Sequence, residues 1–166
     1  FQTNGSVSVK KLELKDSFKR KLEDNTLFFY IGANRSTRSI LSEQNSRTKQ
    51  GKNSSFLKEM VSLVAPFESA LRTENINEIG RLMKCNWELK KQLSEGVTNS
   101  LVDEAYEAAI ENGAEGGKLL GAGSGGFLCF LVPAERASKV RAALSNIREI
   151  PLSYDDKGTE IIYKGA

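Results

Sequence analysis

Seven of the fifteen residues from Gly113 to Phe127 are glycine, half of the 14 in the whole chain, within less than a tenth of its 166 residues. Glycine gives up more backbone entropy on ordering than any other residue and packs nothing. A cluster this dense belongs where backbone takes positive φ or comes very close to another group. Backbone amides bared in this way are also good donors to anionic oxygens. Two readings stand side by side: a tight, glycine-lined connection between a helix and a central strand, and a loop that receives a charged ligand.

The segment Gly121-Ala122-Gly123-Ser124-Gly125-Gly126 has the letter pattern G-x-G-x-x-G. A dinucleotide fingerprint, however, needs a strand before it and a helix after it. Here the next residues, Phe127 to Val132, form an apolar run closed by Pro133, which predicts a buried strand. Gly117-Lys118 is followed by Leu119 and not by Ser or Thr, which excludes a Walker A loop.

The remaining composition narrows the function class. The net charge is +3 with both signs interspersed, so no basic stripe predicts a nucleic-acid partner. The locally basic segment Lys10 to Lys21 reads as a solvated face. No apolar stretch approaches the ~20 residues of a membrane span, and these residues show no signal-peptide pattern. Cys85 and Cys129 stand far apart, and there is no histidine, so no metal site is expected and a reducing cytoplasmic setting fits best. Acid–base chemistry would fall to Asp, Glu, Lys or Tyr.

Periodicity sets the elements. Asn4-Gly5 leads into a predicted strand, Val7 to Leu14, and Leu27 to Ile31 is a second, buried one. Ser36 or Thr37 caps a helix through Glu43, followed by a polar interruption over 45–53. Ser54-Ser55 cap the next helix, with Phe56, Met60, Leu63, Val64, Phe67 and Leu71 in one stripe that Pro66 splits. Asn75 to Leu93 carries the stripe Ile76, Ile79, Leu82, Met83, Cys85/Asn86 and Leu89, with Trp87 at its edge. Thr98 or Asn99 caps a helix closed by Asn112-Gly113. A helix from Ala134 to about Leu144 turns Val140 and Leu144 inward. Ile150 to Tyr154 and Glu160 to Tyr163 read as a hairpin around Asp155-Asp156-Lys157-Gly158. Strands at both ends with helices between them predict one α+β domain over residues 1–166, an antiparallel sheet with helices on one face.

The run Gly113-Ala114-x-Gly116-Gly117-Lys118-Leu119-x-Gly121-Ala122-Gly123-x-Gly125-Gly126-Phe127 resembles the third signature motif of the GHMP small-molecule kinases. Tyr30-x-Gly32 with Arg35-Ser36 and Ser42-Glu43-Gln44, and Asn86 to Ser94 with Val97-Thr98-Asn99, are similar to the D-glycero-D-manno-heptose 7-phosphate kinase branch. The resemblance implies a ferredoxin-like C-terminal kinase domain. It also implies phosphoryl transfer from ATP with Mg²⁺ to a hydroxyl of a small sugar or sugar phosphate, with heptose 7-phosphate the leading acceptor. In such transfer positioning and charge stabilisation dominate.

The family's phosphate-binding loop and the segment bearing its catalytic Asp match nothing in these residues. The expected partner is therefore an N-terminal kinase half, no catalytic residue is expected in this chain, and the fragment alone is expected to be inactive. The candidate site is the loop Gly121, Ala122, Gly123, Ser124, Gly125 and Gly126, with Arg35 and Lys118 as substrate or phosphate contacts. Each has a plainer counterpart: Lys118 as a turn-flanking residue, Arg35 as a solvated loop arginine, Trp87 as packing, Asp155-Asp156 as turn formers. The alternative to a kinase half is a stand-alone ligand-binding or dimerisation module.

Overall fold

Two apolar residues specify the first helix. Phe18 and Leu22, four apart, are buried on α1 (Asp16–Asp24), while the remaining positions are polar. The computed structural model describes residues 4–33, 37–155 and 158–163. After α1 come β1 (Thr26–Ala33), α2 (Thr37–Lys49), α3 (Ser54–Ser62), α4 (Val64–Arg72), α5 (Ile76–Lys91), a 3₁₀ turn Glu95–Val97 and α6 (Ser100–Glu111). The hairpin β2 (Gly116–Leu120) and β3 (Gly125–Leu131), then α7 (Ala137–Ala143) and β4 (Arg148–Ile150), complete the fold.

All pairings in the sheet are antiparallel and its order is β2-β3-β1-β4. With helices inserted after β1 and after β3, this is the split β-α-β ferredoxin-like arrangement, α+β as the sequence implied. Strand alternation divides the side chains. Leu27, Phe29, Leu119, Leu128 and Phe130 face one side, where Val102, Ala105, Tyr106 and Ala109 of α6 and Val140 of α7 cover them. Ring contacts run through this core from Trp87 to Tyr106 (6.1 Å), Tyr106 to Phe130 (5.6 Å) and Phe130 to Phe29 (6.3 Å). Trp87 is fully buried, so it is the centre of the core and not the edge of a stripe.

The second face is only partly covered. Phe18 and Leu22 meet Ala70 of α4, Ile76, Ile79 and Leu82 of α5, and Leu131 of β3 in a separate cluster at one end of that face. The helix α5 serves both clusters because it lies against the β2 edge. Gly80 and Gly116 allow this: a Cβ on Gly116 would sit 1.8 Å from the Gly80 carbonyl oxygen. On the other side of the strand a Cβ on Gly117 would sit 2.4 Å from the Phe130 ring.

Several expectations change. Residues 7–14 form no strand: their alternation marks a half-buried face, with Leu12 and Leu14 against a cavity and Val7 and Val9 exposed, rather than a ladder position. The hairpin over 150–163 does not form among the described residues. Only Arg148–Ile150 pairs, with β1, while Ile161, Ile162 and Tyr163 are exposed; Asp156 and Lys157 lie outside the described residues. The polar run 45–53 continues α2 to Lys49. Asn53, rather than Ser54, precedes α3; it is fully buried, and its side-chain amide donates to the carbonyls of Gln44 (3.3 Å) and Leu93 (3.2 Å). The stripe does split, at Leu63, and Pro66 lies just past the break in the first turn of α4. Asn99 does cap α6, accepting from the Val102 amide at 3.0 Å.

If the Gly80–Gly116 approach seats α5, Gly116→Ala will cost about 3 kcal/mol, the upper range for overpacking a close contact. Chemical denaturation checks this, and a loss within about 0.5 kcal/mol, the range of ordinary surface changes, contradicts it.

Candidate functional site

The glycine segment is a β-hairpin, not a helix-to-strand connection. Gly116 and Gly117 belong to β2, which ends at Leu120, and β3 begins at Gly125, so residues 121–124 close the turn. Gly121 (φ +90°), Gly123 (φ +132°), Ser124 (φ +63°) and Gly126 (φ +116°) all lie in the left-handed half of backbone space. For Gly123 the need is twofold, since a Cβ there would also lie 2.6 Å from Val97 Cα. At Gly121 a Cβ would meet nothing within 4 Å.

Ser124, a non-glycine in a strained region, is held from several sides. Its amide donates to the Val97 carbonyl at 2.8 Å. The Asn99 side chain that caps α6 also donates to the Ser124 carbonyl at 2.9 Å and its hydroxyl at 3.4 Å. Ser124 is buried, so its hydroxyl serves the turn's architecture.

The carbonyls of Leu119, Gly121 and Ala122 are taken by side chains. Lys90 Nζ donates to the carbonyls of Leu119 and Gly121, and Gln44 Nε2 donates to that of Ala122 at 3.4 Å. Because a trans peptide sets N–H opposite C=O, the amides of Ala122 and Gly123 point away from Lys90 and Gln44. Among the described residues the amides of Gly121, Ala122 and Gly123 donate to no backbone or side-chain acceptor in a turn or loop. The geometry is a short row of bared donors on a rigidly held turn.

Lys118 lies three residues before Gly121, yet its side chain serves a different place. Lys118 Nζ donates to Asn86 Oδ1 at 2.6 Å on the partly covered sheet face. There it borders a concavity of about 240 Å³ with Met60, Leu63, Phe67 and Met83. No residue of 121–126 lines that concavity. Arg35 lies outside the described residues. Among the described residues, no group of three His, Cys, Asp or Glu side chains could hold a metal ion, and no helix is long and apolar enough to cross a membrane.

Sequence reasoning missed Lys90 as a site residue. The signal was the i, i+4 spacing of Asn86 and Lys90, which sets both on the side of α5 that meets β2. Burial lowers the Lys90 ammonium to about 8, with repulsion from Lys118 a smaller cause. Burial also lowers Lys118. For Lys90 the folded value is below its ordinary 10.5, so the cost of burying its charge is fully present below pH 8 and is relieved as pH rises towards 10.5. The stability of the wild type relative to Lys90→Met will therefore increase from about pH 7 to about pH 10. Paired urea melts read this, and a difference that is flat or falls with pH contradicts it.

Comparison with known proteins agrees with this architecture. The family model for the GHMP kinases C terminal matches residues 67–148. The D-glycero-alpha-D-manno-heptose 7-phosphate kinase of Campylobacter jejuni is 27% identical over 143 residues, 86% of this chain and 42% of that protein. The mevalonate kinase of Methanococcus jannaschii superposes with a TM-score of 0.65 at 25% identity, over 83% of this chain and 42% of the other. A D-glycero-D-manno-heptose 1-phosphate kinase from Bacteroides thetaiotaomicron superposes with a TM-score of 0.56 at 24% identity, over 91% of this chain and 39% of the other. The chain thus spans less than half the length of each of these proteins. Residues 67–148 match the GHMP kinase C-terminal domain model, and the antiparallel sheet with its glycine hairpin agrees with that likeness.

Proposed function

We propose that the chain is the C-terminal half of an ATP-dependent sugar or sugar-phosphate kinase that phosphorylates a hydroxyl of heptose 7-phosphate. The observation that carries this reading is the pinned turn: carbonyls held by Lys90 and Gln44, and amides of residues 121–123 without an acceptor among the described residues. Such donors complement the spread negative charge of a transferring phosphoryl group or of a substrate phosphate. They are preorganised, so little reorganisation is needed when charge develops.

On this reading the chain binds and orients, and does no acid–base chemistry. Ser124 carries the one side-chain hydroxyl in the turn, and Asn99 holds it inward. A phosphate-binding loop and a carboxylate base come from an N-terminal half outside these residues. The described residues fit the anionic oxygens of ATP but gather no carboxylate set for Mg²⁺.

The test is reconstitution. The chain alone will not turn over ATP. Mixed with the N-terminal half of the Campylobacter jejuni heptose 7-phosphate kinase, it will support ATP-dependent phosphorylation of heptose 7-phosphate. Gly121→Ala, which adds a methyl into open space but strains φ, will lower that rate about tenfold, or ~1.4 kcal/mol in the barrier. Robust turnover by the chain alone, or an unchanged rate for Gly121→Ala, contradicts the reading.

A further inference from the structure

The end of the sheet nearest the glycine turn carries two aromatic rings that the core does not use. Tyr30 of β1 and Phe127 of β3 pair directly across the sheet, with ring centroids 5.2 Å apart. Both point to the partly covered face, and they are 42% and 39% exposed. A register shift between Tyr30 and Gly32 puts an extra residue in β1 beside the pair, the kind of bulge that re-aims a side chain at a sheet end.

Three cations stand near the rings. Arg148 of β4 pairs with Tyr30 and so shares its face. Lys118 stands on the same face, diagonal to Phe127. Lys90 approaches the same end from α5. Among the described residues, none of these three cations is in an ion pair; the neighbouring Glu149 is held by Arg141 at 2.9 Å. The row Phe127–Tyr30–Arg148 spans two strand spacings, about 10 Å. An apolar ring surface with a guanidinium at one end matches an amphipathic anion, with a ring to stack and a phosphate to receive bidentate hydrogen bonds.

We propose that the Tyr30–Phe127 pair is the stacking platform for the sugar ring of a phosphorylated sugar, and that Arg148 binds its phosphate. This names the acceptor's subsite and rests on the kinase reading. The rings meet the sugar's C–H face, the guanidinium fixes which end of the sugar carries the existing phosphate, and the opposite end of the molecule is directed towards the turn that follows Leu120. Selection of phosphorylated over plain sugars is the function assigned to Arg148.

The test uses the 166-residue chain and heptose 7-phosphate, followed by saturation-transfer NMR. Saturating the aromatic protons of Tyr30 and Phe127 will transfer to the ligand's ring protons. Tyr30→Ala will weaken binding of heptose 7-phosphate and of unphosphorylated heptose alike, about fivefold or more, ~1 kcal/mol. Arg148→Ala, at an exposed position, will weaken only the phosphorylated sugar by a similar factor, with the circular dichroism of both variants unchanged. Equal loss for both sugars in Arg148→Ala, silent rings, or a dimer in sedimentation that covers the pair overturns the platform. Transfer to AMPPNP in place of the sugar phosphate also overturns it while leaving the kinase reading intact. Failure of the reconstituted kinase to transfer phosphate, with the ring response preserved, removes the kinase reading and leaves the platform.

Discussion

The structure depends on how closely α5 lies against β2. Two glycines, Gly80 on the helix and Gly116 on the strand, leave no room for a side chain between the backbones. That contact aims one helix at four places. Leu82 enters the cluster on one sheet face and Trp87 the core on the other. Asn86 reaches Lys118, and Lys90 reaches the carbonyls of the turn. A helix held a methyl group further away would lose the packing of the first pair and the hydrogen bonds of the second together, because dense interiors transmit displacement rather than absorb it.

This explains why glycine density was both informative and misleading. Of the seven glycines in 113–127, Gly116 and Gly117 are required by packing against α5 and Phe130, and Gly113 by the end of α6, where φ is +110°. From Gly121 onward the glycines serve the turn, where Gly121, Gly123 and Gly126 take positive φ. Sequence alone offers no way to divide the cluster, since close approach and positive φ select the same residue. The buried strands, the helix break near Pro66 and the Asn99 cap were legible because local pattern and tertiary packing agree there. The terminal segments misled for a physical reason. Alternation at Val7–Leu14 and an Asp-rich turn near 155 are signals of local geometry, but a strand also needs a neighbouring edge. Among the described residues α5 covers the β2 edge, and β4 continues no further than Ile150. Of the candidate residues, the positive-φ glycines of the turn were legible as backbone, Lys118 is adjacent in sequence but faces another concavity, and Lys90 was hidden because it bonds backbone carbonyls that no side-chain motif reveals.

Electrostatics at the sheet end follow from the same placement. Lys90 and Lys118 are partly desolvated with neutral partners, carbonyls for one and an amide side chain for the other. Burying cations without carboxylates costs stability that pairing would offset, and a fold that tolerates the cost retains positive potential where an anion can use it. The bared amides of the turn add to this field without a side chain.

The most direct measurement is the amide ¹⁵N–¹H spectrum of the chain joined by an N-terminal half, titrated with AMPPNP and then with heptose 7-phosphate. The account predicts downfield shifts at Ala122 and Gly123 as their amides take a phosphate oxygen, with Ser124 unmoved because Val97 already holds it. If Ala122 and Gly123 stay fixed under saturating ligand while amides elsewhere respond, the turn is structural and the account is wrong.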